Sequence, residues 1–377
     1  MEISLSVTLP AKSPGLSLNE QGVLVLEGKP YRGMGVNYFD LFYRCLKDPE
    51  DTSFREGLSV LSERKIPFAR FMCGGFWPKE NALYFEDREE YFKLLDEVIE
   101  AAQEAEVGLI PSLFWHSSTV PDLVGESVNQ WGNPQSKTHA FMKQVVAEVV
   151  ERYKESPAIW AWEFGNEYNL GADLPNAKEH RPAIVPELGT PESRSADDEL
   201  SRKDIRAAFQ AFASAVRTHD PHRIITTGNA FPRPSAWHQT TEGSWTQDSL
   251  VQFAKVLLAD QPDPIQMVSV HLYDPDKRFH YTPAVDTLIS LVMGVTASQG
   301  KILFIGEFGA RDEDSPEAEK ARFKEILTAI EKSRVPLAAL WVYDFGGQKD
   351  TWNVTDENSR AYQLDAIEEA NQRIRSE

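Results

Sequence analysis

Two glutamates each close a short apolar run: Glu167 in Trp160-Ala-Trp-Glu-Phe-Gly-Asn-Glu and Glu307 in Ile302-Leu-Phe-Ile-Gly-Glu-Phe-Gly. A carboxylate at the end of a buried strand is costly unless it is hydrogen-bonded or charge-paired, so two of them point to chemistry rather than packing. Alone, each could equally be a structural carboxylate paired with an arginine or a helix end. Two carboxyl groups in unlike surroundings can divide the work of nucleophile and acid.

Such residues need elements that carry them to one place. Eight short, mostly apolar runs read as strands: 31–37, 68–72, 108–114, 158–163, 223–227, 267–272, 302–306 and 338–343. Several are apolar on consecutive positions, as parallel strands covered on both faces require. Between them lie helical stripes: Leu95, Val98, Ile99 and Ala102; Phe141, Met142, Val145, Val146, Val149, Val150 and Tyr153; Phe323, Ile326, Leu327 and Ile330. Ser315 is placed to cap the last of these helices, with Pro316 at its first position. Strict alternation over eight units predicts a closed (β/α)8 barrel, read as one domain over 1–377. Residues 1–30 are expected to form a hairpin that closes the barrel bottom, and residues 170–197 an excursion of the fourth strand-to-helix loop.

Active sites of such barrels are built from the loops after the strands. The strand ends carry, in order, Asn37, Arg70, His116, Asn166 with Glu167, Asn229, His271 with Tyr273, Glu307, and Trp341 with Asp344. Alone, His116 and His271 would more often be satisfied core histidines, and strand-end groups such as Asn37, Asn229 and Asp344 often only tie loops together. Trp77, Trp115, Trp131, Trp237, Trp245 and Trp352 fall in or near strand-end loops, as sugar platforms or as ordinary loop anchors. Trp160 and Trp162 lie inside a strand and read as packing.

The ordered set Arg70, His116, Asn166, Glu167, His271, Tyr273, Glu307 and Trp341 resembles glycoside hydrolase family 5, in the clan of retaining glycosidases. The match spans roughly residues 31–343. Tyr168 stands where many members have proline, which weakens any assignment to a subfamily. The resemblance implies a retaining glycosidase acting on a neutral β-linked glycan, an endo-β-1,4-mannanase or endo-β-1,4-glucanase, with an exo-acting β-glycosidase or a non-catalytic carbohydrate-binding barrel as rivals. It implies Glu307 as nucleophile and Glu167 as acid and then base, about 5 to 5.5 Å apart. Arg70 and Tyr273 would keep Glu307 ionised, and the negative charge of Glu307 would keep Glu167 protonated. Asn166 would bind the 2-hydroxyl of the cleaved sugar and Trp341 would lie under its ring. His116 and His271 would bind further hydroxyls, with Asn37, Trp115 and Trp237 as additional substrate contacts. No cofactor or metal is expected, since no His-x-His falls on a strand and no strand-end lysine could bridge two metals.

Composition agrees with this reading. The formal net charge of −19 in 377 residues repels phosphate backbones and anionic lipid headgroups, which argues against a nucleic-acid partner. No run approaches eighteen apolar residues, so no membrane span is read. A monomer is expected. Cys45 and Cys73 are too few for a disulfide scaffold; one bridge or two free thiols are equally open. The start of the chain lacks a basic leader and an apolar stretch, which leaves a cytoplasmic location, or a secreted or periplasmic one after removal of a leader.

Overall fold

The computed structural model describes residues 14–273, 278–311 and 315–377. Its first elements are a three-stranded antiparallel sheet of β1 (Leu16–Leu18), β2 (Leu24–Leu26) and β3 (Lys29–Pro30), one strand more than a hairpin. Eight parallel strands then close a barrel: β4 (Gly33–Asn37), β5 (Phe68–Met72), β6 (Gly108–Phe114), β7 (Ala161–Gly165), β8 (Ile224–Thr226), β9 (Met267–Leu272), β10 (Ile302–Phe308) and β11 (Leu337–Leu340), which pairs back to β4. The expected (β/α)8 architecture is therefore present. The fourth barrel strand begins later than its sequence suggests and runs to Gly165, which brings Asn166 and Glu167 directly onto its end.

Alternation along each strand divides the barrel into two cores. Outward residues such as Phe71, Leu109, Trp162, Phe164, Ile225 and Val270 join the large cluster formed with the surrounding helices. The three predicted helices are Arg88–Glu104, Lys137–Tyr153 and Pro316–Lys332, capped by Asp87, Ser136 and Ser315. The Ser315 side chain accepts from the Ala318 amide, and Pro316 occupies the first turn as its sequence implies.

The inward face is layered. At the lower end, Phe68, Ile110, Ala161, Ile224, Met267, Phe304, Leu337 and Ala339 form an apolar plug with Leu16 and Leu24. One register step higher, the inward residues are Arg70, Ser112, Glu163, Thr226, Ser269 and Gly306, a polar ring in the middle of the barrel. The sheet of β1 to β3 does close the barrel floor, with the Leu16 amide donating to the Trp160 carbonyl at 2.8 Å. Cys45 and Cys73 are both buried free thiols, and burial first of all pushes each up to about 12.

The fourth strand-to-helix connection is long, as expected. It contains the short turns Ala177–His180, Pro186–Leu188 and Ala196–Asp198 before the helix Arg202–His219. Among the described residues no helix is long and apolar enough to cross a membrane.

Candidate active site

At the end of β7 the chain turns sharply. Glu167 takes a left-handed conformation (φ 53°), with its amide donating to the Gly228 carbonyl at 2.9 Å. Gly228 must be glycine here: at φ +74° a Cβ would fall 1.8 Å from the Gly165 oxygen. Asn166 is tied to the third loop through its amide, which donates to the Trp115 carbonyl at 3.1 Å.

Arg70, fully buried on β5, is the hub of the site. Its Nε donates to Glu163 Oε1 at 2.8 Å; one terminal nitrogen donates to Glu307 Oε1 and Asn37 Oδ1, both at 2.9 Å; the other donates to Asn166 Oδ1 at 2.8 Å. The Trp115 ring covers the guanidinium at 4.6 Å. The second oxygen of Glu307 accepts from the Tyr273 hydroxyl at 2.5 Å. His271 Nδ1 stands 2.8 Å from Glu167 Oε1 and 3.4 Å from Glu307 Oε2. Donor atoms of Glu167, His271 and Glu307 all lie within 4.8 Å of one another, so the two carboxyl groups face each other across one small gap.

Three donors that close could in principle hold a cation. Both Glu307 oxygens already accept from Arg70 and Tyr273, and the adjacent guanidinium repels positive charge, so the residues fit a metal poorly.

The electrostatics depart from the sequence expectation at one point. Glu167 is held below the ordinary glutamate value rather than kept protonated by Glu307. Burial raises it, but the hydrogen bond and charge of His271 outweigh that, with help from Arg70 and Arg233. Nothing in the residue pattern signals that His271 sits between the two carboxylates. Tyr273 is driven well above its usual value by burial and then by Glu307, so its hydroxyl stays a donor. Glu163 is raised by burial, against the lowering effect of Arg70. His116 is lowered to about 4 by burial and the nearby Arg194, so it is neutral at ordinary pH.

Above the carboxylates opens a cavity of about 560 Å³. Asn166, Glu167, Tyr273 and Glu307 lie at its base, and Trp77, Trp115, Trp341 and Trp352 are among its walls. The Trp341 and Trp115 rings stack at 6.2 Å with an interplanar angle of 24°, and Trp341 Nε1 donates to Gln348 at 2.9 Å.

Other expected contacts fall elsewhere. Asn37 is fully buried, and its amide is spent on Arg70 and the carbonyls of Gly306, Ala339 and Leu340; it braces the site and does not reach the cavity. Trp237 lies in the helix Ala236–Glu242 against His238, outside the cavity lining, because the fifth loop carries it away from the strand end. His116 packs on Phe76 at 4.8 Å, behind the wall rather than in it. Trp131 is a fully buried anchor donating to the Ser117 carbonyl, and Trp245 is exposed away from the cavity. Asn229 ties its loop to the Asp260 carbonyl, and Asp344 accepts from Tyr38 and Arg44. The sequence reading missed the wall residues Phe39, Tyr43, Phe76, Phe345 and Gln348, which sit several positions past the strand ends. It also missed Glu163, although a glutamate inside an apolar strand is itself a signal.

The pattern of cellulases, glycosyl hydrolase family 5, matches residues 64–347. The chain belongs to this family. It is a glycoside hydrolase. Over 87 residues this family 5 enzyme is 32% identical to a probable mannan endo-1,4-beta-mannosidase C from Aspergillus terreus, a match covering 23% of this chain and 18% of that relative. Its fold is similar to an endo-1,4-beta-mannanase from Rhizomucor miehei, with a TM-score of 0.66 and 15% identity, covering 96% of this chain and 100% of the other. It is also similar to an exo-beta-1,4-mannosidase from Opitutaceae bacterium strain TAV5, with a TM-score of 0.61 and 14% identity over 96% of this chain and 62% of the other.

Proposed function

We propose that this family 5 enzyme is an endo-β-1,4-mannanase working by double displacement, with Glu307 as nucleophile and Glu167 as acid and then base. The observation that carries the reading is the pair of carboxylates facing across a gap under 4.8 Å at the base of an aromatic-walled cavity. Retaining glycosidases need this short separation, since one group must attack the anomeric carbon directly. Arg70 and Tyr273 each hold one oxygen of Glu307, which orients it and favours its charged form. Asn166, whose Oδ1 is fixed by Arg70, has an amide nitrogen with no partner among the described residues and can donate to a sugar hydroxyl. The stacked Trp341 and Trp115 offer flat apolar surface to the C–H face of a sugar ring. Mannan is favoured over glucan by the relatives the chain resembles.

A panel of β-mannan, β-glucan, β-xylan and aryl β-glycosides, with the first-formed anomer read by NMR, tests this. Retention and cleavage of mannan into oligosaccharides of several lengths are expected. An inverted first product would remove Glu307 as nucleophile.

One observation favours a second reading, exo-acting release from a chain end. The fourth loop crosses the top of the barrel: Arg194 grips Asp122 with two hydrogen bonds at 2.6 and 2.7 Å, and Gly189 lies so close to Pro78 and Lys79 that a Cβ there would sit about 3 Å from both. Trp77, beside that contact, lines the cavity, so the loop walls one end of it. Release of single sugars from the start of the reaction would select this reading.

A further inference from the structure

The polar ring in the middle of the barrel holds five buried side-chain atoms with no hydrogen-bond partner among the described residues: Ser112 Oγ, Glu163 Oε2, Thr226 Oγ1, Ser269 Oγ and His271 Nε2. Their strands are neighbours: Ser112 pairs in register with Glu163, Glu163 with Thr226, and Ser269 and His271 share the inward face of β9. Native interiors rarely leave such atoms idle, and five in one layer directly beneath two facing carboxylates call for a reason. Two glycines border the layer. A Cβ on Gly306 would lie 2.9 Å from Ser269 Oγ and 3.2 Å from His271 Nε2, so these two atoms face one spot that the missing side chain leaves clear. A Cβ on Gly228 would lie 2.9 Å from the Glu163 carboxyl carbon.

We propose that Glu163 is a buried proton store for the acid Glu167, delivering through the hydroxyls of Thr226 and Ser269 to His271. This rests on the assignment of Glu167 as acid and answers the difficulty that assignment meets. In the resting site the Glu167 carboxylate accepts from His271 Nδ1–H. A neutral imidazole can give that proton up only if Nε2 takes another, and Nε2 faces the polar ring. The groups facing this ring are Arg70 on β5, Glu163 on β7, and His271 on β9; Glu167, Tyr273 and Glu307 stand above it, and Arg233 acts on Glu167 from the fifth loop. Of the carboxyl groups only Glu163 is wholly within the barrel, and its Oε2 is free to carry a proton.

The protons balance. The Glu163 O–H bond breaks and a proton arrives at His271 Nε2 through the two hydroxyls; the Nδ1–H bond breaks and its proton passes to Glu167, which gives it to the departing glycosidic oxygen. Glu163 is left as a carboxylate against Arg70 Nε, its existing partner at 2.8 Å. That partner becomes valuable at the right moment, because Glu307 loses its own charge when it is esterified. Burial also raises Glu163, consistent with a proton held there at neutral pH.

The test uses E163Q, which keeps an acceptor for Arg70 Nε but has no proton to release. The infrared difference between wild type and E163Q at neutral pH should show a buried protonated-carboxyl band in wild type alone. No such band overturns the proposal, whether or not either protein cleaves glycan. In kinetics, E163Q should lose at least tenfold in kcat/KM on unactivated oligosaccharides and change less than twofold on aryl glycosides with good leaving groups; equal losses, or none, overturn it. If E163Q does not fold, the double variant Thr226→Ala with Ser269→Ala, which leaves Glu163 and Arg70 in contact, must show the same leaving-group dependence, and its absence has the same force. A wild-type protein that cleaves nothing would instead overturn the proposed function, with the infrared band still deciding the store.

Discussion

At the residue scale, Glu307→Ala should reduce turnover below detection while circular dichroism and glycan retention stay near wild type, since its neighbours Arg70 and Tyr273 keep other partners or reach the cavity. Turnover at the wild-type rate would take Glu307 out of the mechanism. Glu167→Ala should cost about 10²–10⁴-fold on poor leaving groups and far less on activated aryl glycosides, which need little protonation; a uniform loss would count against its role as acid. His116 offers a prediction about stability. Its folded imidazole takes a proton near pH 4 against an ordinary value of 6.5, so between those pH values the unfolded chain binds more protons. Stability should be complete above about pH 6.5 and decline as pH falls toward 4, and His116→Phe should flatten that part of the melting-temperature profile. The residues that carry chemistry were legible because their type is wrong for where they sit, as with Glu167 and Glu307 at the ends of apolar strands. Which nitrogen faces which oxygen was not legible, because His271 reaches both carboxylates only through the curvature of the closed barrel. Asn37 was misread for a related reason: a strand-end amide looks the same in sequence whether it points up at a ligand or sideways at Arg70.

At the element scale, the strands were readable because burial on both faces demands apolar residues at consecutive positions, and β6, buried throughout, is the clearest case. The capped helices were equally readable, down to Ser315 and Pro316. The loops were not, since their paths depend on contacts distant in sequence. The fourth loop was recognised by length and composition, yet nothing in its residues announces that Arg194 will find Asp122. That ion pair is almost wholly buried, so breaking it should be expensive: Asp122→Ala is expected to cost about 3–5 kcal/mol locally by leaving an uncompensated arginine. Faster proteolytic cleavage within 171–201, with the rest of the chain intact, would be the readout. Cleavage unchanged from wild type would show that other contacts hold the loop. If that loop sets where the glycan ends, the same variant should lengthen the average product.

At the scale of the whole molecule, the barrel is built as an apolar floor, a polar ring and a reactive mouth, and the small sheet of β1 to β3 belongs to the floor. Leu16, with no exposed surface, fills the bottom of the plug, so Leu16→Ala should lower unfolding free energy by about 2–5 kcal/mol while leaving KM unchanged. A changed KM would mean that the floor reaches the site. The two buried thiols have a separate use. Cys45 sits in the first strand-to-helix unit and Cys73 directly after the second barrel strand, and neither can meet a solvent-borne alkylating reagent while the barrel is shut. Their modification rates are thus a built-in clock for breathing of the native state: equal rates report the barrel coming apart as one body, and a faster Cys45 reports the first unit lifting away alone.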